Sequence, residues 1–290
     1  MLSAAALGND HDALRAACAQ GVGLCTITHI EGSFSRRLGA QLAVRADGSV
    51  VGSLADGCLE NQLAAEIAKG GERRVMRFGA GSPMIDFRLP CGSGLDILVD
   101  PAPDHAACRD VVAKLDRREA AMLALPMGAL AQRHYVPALR LALFGEGPEL
   151  DALALLARTA GLAVETHSKD GSEGRSSDLS LGKSPSGIAI DRWCAVILLF
   201  HDHEWEQAIL QWALQTPAFF IGAQGGQTAR EERAERLLAS GVAPGQMARI
   251  ASPIGIVQHS REPVALALSI LASVVGEYEA IHPHHAPRGG

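Results

Sequence analysis

The stretch from Ala138 to His167, "ALRLALFGEGPELDALALLARTAGLAVETH", constrains the fold more than any other part of the chain. It reads as a buried strand, a glycine turn, an amphipathic helix stopped by glycine, and a second strand, which together make a βαβ unit. "CAVILLFHDHEWEQAILQWALQ" repeats strand, loop and helix, and "PAFFIGAQGG" supplies a further strand before the helix "TAREERAERLLASG". Strands that alternate with helices run parallel, and the helices cover both faces of the sheet. "PIGI" reads as a buried loop or short strand, and "REPVALALSILASVVGEYEA" as a long closing helix. Residues 139–281 are therefore expected to form a doubly wound, Rossmann-like domain, and the chain as a whole an α/β protein.

The first half has a different rhythm. "VGLCTITHI" is rich in β-branched residues and reads as a strand. "AQLAVR" and "SVVGS" flank Asp47-Gly48, a pair that supplies positive φ cheaply and so predicts a hairpin. "CLENQLAAEIAK" has apolar residues at helical spacing, with Asp56 or Gly57 as its N-cap and Gly70-Gly71 as its stop. "RRVMRF" and "LDILVD" are further strands around the glycine-rich "PCGSG". This predicts an N-terminal α+β domain over residues 1–104 and a connector over 105–138. The Ser- and Gly-rich segment 168–187 and the tail 282–290 are expected to be loose, because neither can bury a core.

The formal charge of -6 excludes a surface built for nucleic acid, which needs a basic face, and 4% aromatic residues supply few stacking platforms. The N-terminus lacks a basic n-region and a cleavage site, and no apolar run reaches the roughly 18 residues of a membrane span. No membrane association and a cytoplasmic location are expected. Six cysteines, none in a C-x-x-C pair, are no disulfide framework in a chain of 290 residues.

Three loops carry residues suited to chemistry. In "GSFSRRLGA", Arg36 and Arg37 follow Gly32-Ser33 and precede Gly39, so backbone N–H groups and guanidinium groups together make an anion nest. Cys58 stands at the start of the predicted helix, where the helix dipole favours thiolate, a ligand suited to thiophilic metals. Cys91, in "PCGSG", lies in the same domain and is expected to approach the first loop. In the second half, "GEGPEL" keeps Gly145 and Gly147 of a dinucleotide fingerprint but has Leu150 at the third glycine, and the next strand ends without a clear ribose-binding acid. His201 and Asp202 end a buried strand, where open α/β sheets present ligand groups. Asp202 also reads as an ordinary helix N-cap.

The order of these pieces resembles the XdhC/CoxI family of accessory proteins for molybdenum hydroxylases. Gly32, Ser33, Arg36, Gly39 and Ala40 match its first motif, Gly52, Ser53, Gly57, Cys58 and Glu60 the second, and Cys91 and Gly92 the third. In the second half, "FGEGPEL", "FHDHEWE", "FFIGAQGG" and "PIGI" follow the family's order. The sequence departs from the pattern at Phe34-Ser35, Asp56 and Ser93. The resemblance implies a chaperone, an accessory protein and not itself an enzyme. It would bind molybdenum cofactor (molybdopterin or its dinucleotide form), support exchange of an oxo for a sulfido ligand, and deliver the product to an apo molybdenum hydroxylase. The implied partners are that hydroxylase and a cysteine desulfurase as sulfur donor, and a homodimer is expected. The implied cofactor-binding residues are Gly32, Ser33, Arg36, Arg37, Gly39, Ser53, Gly57, Cys58, Glu60, Cys91, Gly92, Gly145, Gly147 and His201, with Cys58 and Cys91 near molybdenum. Two alternatives stand beside this reading. One is an NAD(P)-dependent oxidoreductase with His201 or Asp202 in acid–base work; the other is an assembly scaffold that binds no pterin.

Overall fold

The computed structural model of the chain describes residues 11–55, 57–82, 92–169, 179–257 and 260–282. Two compact units divide it, the first over residues 1–137 together with 282–290, the second over 138–281.

The first unit contains α1 (Asp12–Ala16), β1 (Gly23–Glu31), β2 (Gln41–Val44), β3 (Val50–Gly52), α2 (Cys58–Ala68), β4 (Arg74–Gly79), β5 (Gly94–Asp100), α3 (His105–Asp116), β6 (Ala121–Ala124) and β7 (Gln132–Tyr135). Five strands form an antiparallel sheet in the order β3-β2-β1-β5-β4. Alternate residues of a strand face opposite sides, and here both sides are covered. Cys25, Ile27, Leu42, Leu95 and Ile97 pack with Leu59 and Leu63 of α2, whereas Leu24 and Ala43 pack with Leu14 of α1 and Val111 of α3. That double burial is why β1 reads as almost continuously apolar.

Of residues 105–138, expected as a connector, 105–137 are folded into the first unit. Cys108, Val111 and Leu115 recur along one face of α3 and enter its core, and the Asp104 side chain caps the helix by accepting from Ala106 and Ala107 N–H. β6 and β7 form a hairpin. Tyr135 Oη of that hairpin donates to Gln41 Oε1 at 2.6 Å, and Gln41 Nε2 donates to Thr26 Oγ1 at 3.0 Å. A fully buried polar chain thus fastens β7 to β2 and β1, where unpaired groups would be costly.

The second unit contains β8 (Arg140–Gly145), α4 (Pro148–Thr159), β9 (Ala163–His167), β10 (Cys194–Leu199), α5 (Glu206–Leu214), β11 (Phe220–Ala223), α6 (Gln227–Ala239), α7 (Pro244–Met247), β12 (Ile250–Ala251) and α8 (Pro263–Ala280). Its sheet is wholly parallel, in the order β12-β11-β10-β8-β9. Leu141, Leu143 and Ile197 face α4 and α8, while Ala142, Phe144 and Val196 face α5 and α6. The chain leaves β8 for the edge strand β9 and returns to β10 on the other side of β8. The strand order therefore reverses between β8 and β10, where α/β sheets open a ligand crevice.

Ile254 of "PIGI" is buried in the core beneath α8. Of the segment expected to be loose, 170–178 lie outside the described residues, and Leu179 beyond them is buried in the core. Residues 283–290 of the tail also lie outside the described residues. Among the described helices α8 alone has the length and hydropathy to cross a membrane, and Ala267, Ile270 and Val274 of it belong to the core of the unit.

Candidate functional site

In the first unit the site grows from two neighbouring connections, the loop after β1 and the short link from β3 into α2. Gly52 ends β3 at φ +93°, and a Cβ there would lie 2.7 Å from the Gln41 carbonyl oxygen, so only glycine fits this turn. The chain then passes Ser53 to Gly57, the N-cap of α2, also at positive φ. Glu60, at the third position of the helix, folds back over this link. Its Oε1 accepts from Leu54 N at 2.7 Å and Ala55 N at 2.6 Å, and its Oε2 from Gly57 N at 2.9 Å. Burial raises the pKa of this carboxyl, but the N–H groups of Ala55, Glu60 itself, Leu54 and Gly57 outweigh it and hold the group below the usual carboxylate range. Glu60 was expected to touch a cofactor. Only 6% exposed and occupied by its own backbone, it instead shapes the loop.

Two other side chains of these connections are exposed. Arg36 is exposed, and it reaches from the first loop to donate from Nε to the Ser53 carbonyl at 3.0 Å and from Nη2 to Ser53 Oγ at 3.2 Å. Ser53 Oγ also lies 3.4 Å from Glu60 Oε1. A guanidinium has five N–H donors in a planar fork; two go to Ser53, which fixes the side chain and leaves the remainder for an anion. Cys58, the first residue of α2, is exposed and reduced. Arg36, Ser53 and Glu60 form a chain of contacts that ends two residues from Cys58 on α2. Space is open around Gly57, where an added Cβ would meet nothing within 4 Å. Arg37 differs from Arg36: it is half-buried and its Nη1 is shielded from solvent.

The ends of the first loop are pinned. Arg77 bridges Glu31, the last residue of β1, and Asp96 of β5. Ser93 Oγ donates to the Ser33 carbonyl, so the segment after Cys91 does approach the first loop. Ser93, a departure from the family motif, is 2% exposed and serves as this clasp. Gly92 adopts positive φ beside it, and Cys91 itself lies outside the described residues. At the other end Gly39, at φ +82°, presents its carbonyl to Arg133 Nε at 2.7 Å. A Cβ on Gly39 would lie 2.6 Å from Arg133 Cδ. Arg133 is wholly buried, with its guanidinium 4.6 Å over the Tyr135 ring. It stands in the stretch expected to be a connector, and local pattern gave no sign of it.

In the second unit Gly145, Gly147 and His201 converge at the mouth between β8 and β10. A Cβ on Gly145 would lie 2.2 Å from the Leu199 carbonyl oxygen, so glycine is obligatory for the close passage of the two strand ends. Gly147, at φ +90°, is the N-cap of α4. His201 Nε2 lies 3.2 Å from Glu149 Oε2, a residue absent from the expected site. Asp202 accepts from Glu204 N at 3.1 Å and caps the following turn. At the end of the second strand Glu165 pairs with Arg140 at 3.1 Å, and Lys169 with Glu146 at 2.7 Å. Neither acid takes the position of a ribose partner.

Known proteins give the same division. Residues 16–79 match the model of the XdhC and CoxI family, and residues 141–274 match the XdhC Rossmann domain. The Escherichia coli (strain K12) protein described as "Molybdenum cofactor insertion chaperone PaoD" is 30% identical over 275 residues, covering 88% of this chain and 83% of that one. A Bacillus halodurans crystal structure described as a xanthine dehydrogenase shares the fold with a TM-score of 0.70 at 19% identity, over 94% of this chain and 97% of that one. Two motif-bearing loops on an antiparallel sheet, a Rossmann unit after them in sequence, and a relative matched over most of both chains make the chain a member of the XdhC and CoxI family.

Proposed function

We propose that this chain is a chaperone whose cargo is a molybdenum cofactor, held at the loop cluster of the first unit. One observation carries the reading: Arg36 and Cys58 are both exposed, and Arg36 is bonded to Ser53, whose Oγ lies 3.4 Å from Glu60, two residues after Cys58 on α2. The cargo has two distinct ends, a phosphate and a thiophilic metal. Arg36, with the backbone of the Gly32–Gly39 loop, takes the phosphate by charge-assisted hydrogen bonds. Cys58 faces the molybdenum, because thiolate is the side chain that suits a soft metal centre. Support also comes from the relative named as a molybdenum cofactor insertion chaperone. In this reading the exposed thiol serves sulfuration, with a cysteine desulfurase as sulfur donor, and the loaded cargo passes to an apo molybdenum hydroxylase. A homodimer would use the exposed stripe Val264, Leu268, Ala272 and Val275, which recurs along one face of α8 and carries no charge.

The test is anaerobic loading of purified protein with molybdenum cofactor, desalting, and assay of pterin by fluorescence after oxidation and of molybdenum by mass spectrometry. Arg36→Ala is expected to weaken retention of both by about ten-fold or more, the value of one charge-assisted contact. Cys58→Ser is expected to keep pterin but to lose sulfuration and delivery to an apo-hydroxylase. Retention and delivery unchanged in both variants would remove the loop cluster as the seat of the cargo.

A further inference from the structure

We propose that Glu149 is a built-in stand-in for phosphate: its carboxylate holds the anion position of the crevice between β8 and β10, so the second unit excludes diphosphate-bearing ligands that its fold would otherwise accept. This inference concerns the second unit and is independent of the cargo reading for the first.

The crevice keeps most parts of a nucleotide site. The strand order reverses there, Gly145 and Gly147 hold the close-approach turn at positive φ, and α4 is a helix of twelve residues whose N-cap supplies no side chain. With Pro148 lacking an N–H, the first free donors of the helix are those of Glu149 and Leu150. A second feature points to a ligand. Ser168 follows β9 directly, one residue after the Phe144 and His167 pair that ends the register. It is 1% exposed, and among the described residues its Oγ has no hydrogen-bond partner. A buried hydroxyl left in this state costs free energy unless something bonds it.

What differs from a dinucleotide site is charge. A Cβ placed on Gly147 would lie 3.6 Å from Glu149 Oε2 and 3.9 Å from His201 Nε2. The carboxylate therefore lies over the glycine that would let a diphosphate approach the backbone. Its side chain is only 15% exposed, and His201 Nε2 at 3.2 Å holds it there. Glu146, between the two glycines, adds a second carboxylate, which Lys169 neutralises at 2.7 Å. A diphosphate entering this mouth would meet a like charge at contact distance. An acid in the first turn of a helix is ordinarily explained by the dipole alone. Here the folded-back position and its imidazole partner give it a further consequence.

The experiment is a gain of binding. Isothermal titration of the full chain with ADP should give no measurable heat for the wild type at millimolar concentrations. Glu149→Gln, which keeps shape and removes charge, and Glu149→Ser, which also clears the space, should each bind ADP at least ten-fold more tightly, with inorganic pyrophosphate competing. His201→Ala removes the imidazole partner but keeps the negative charge of Glu149, and should gain less than Glu149→Gln. Three results would overturn the proposal: wild-type binding equal to that of the variants, no gain in either Glu149 variant with folding intact by circular dichroism, or a gain in His201→Ala matching that of Glu149→Gln.

Discussion

The β3–α2 link of the first unit and the β8–α4 link of the second are assembled from the same parts. Each passes from a strand through positive-φ glycines into a helix, and each has a glutamate in the first turn. The two glutamates end in opposite places. Glu60 turns into its own link and accepts from three backbone N–H groups. Glu149 turns outward over Gly147 and meets His201. A shift from the third helical position to the second thus separates a carboxylate that holds its own link from one that lies against a neighbouring histidine. The G-x-G pattern is blind to this difference, since it records where the backbone bends and not where a nearby charge comes to rest.

The comparison can be broken most severely at Glu60. Replacing it with alanine strands the N–H groups of buried Leu54 and of Ala55 and Gly57, and should cost about 3 kcal/mol in urea unfolding, with cofactor retention lost as well. Glu149→Ala, by contrast, should change stability by no more than about 1 kcal/mol, the worth of a helix-dipole contact. Equal costs at the two sites would refute the assignment of opposite roles.

A smaller effect separates two glycines of the first unit. Gly39→Ala combines positive φ with a Cβ 2.6 Å from Arg133 and should cost about 2–3 kcal/mol, whereas Gly57→Ala meets open space and should cost about 1 kcal/mol from φ alone. Pairing Gly39→Ala with Arg133→Met should recover part of the first loss, and strict additivity of the two changes would contradict a direct contact.

Acid should act on the same link. The folded-state pKa of Glu60 is depressed relative to the unfolded chain. Its contribution is therefore complete above the unfolded value of about 4.3 and is lost as pH falls through the lower folded value. Hydrogen exchange at Leu54 and Ala55 should stay slow near neutrality and accelerate, relative to the rest of the sheet, only below about pH 4. Acceleration already at pH 6 would contradict this.

Much of this was legible in the sequence, and for identifiable reasons. Strands and helices of the second unit announce themselves because β8 and β10 are buried on both faces and so are continuously apolar. The turn glycines, Arg36, Cys58 and Glu60 lie within 29 residues of one another, so their clustering follows from local connections. Arg133 was invisible. It meets Gly39 from 94 residues away, on a short hairpin whose alternating polar residues resemble a linker. Ser93 was read as a loss from a glycine motif, although its hydroxyl closes the first loop against Ser33. Glu149 carried no local signal, because its partner His201 comes 52 residues later. Each miss is a tertiary contact that periodicity does not encode.

The central claim, that cargo sits against the first helical turn of α2, is tested most directly by the rate of iodoacetamide alkylation at Cys58, followed by peptide mass spectrometry with and without bound molybdenum cofactor. Of the described cysteines only Cys58 is exposed; burial pushes the Cys25 and Cys108 thiols up to about 12 and should make both inert. In the empty protein Cys58 should therefore react first, and loading should slow it by at least about ten-fold, with no such protection in Arg36→Ala. A rate at Cys58 that is unchanged by a cargo demonstrably bound would contradict the account.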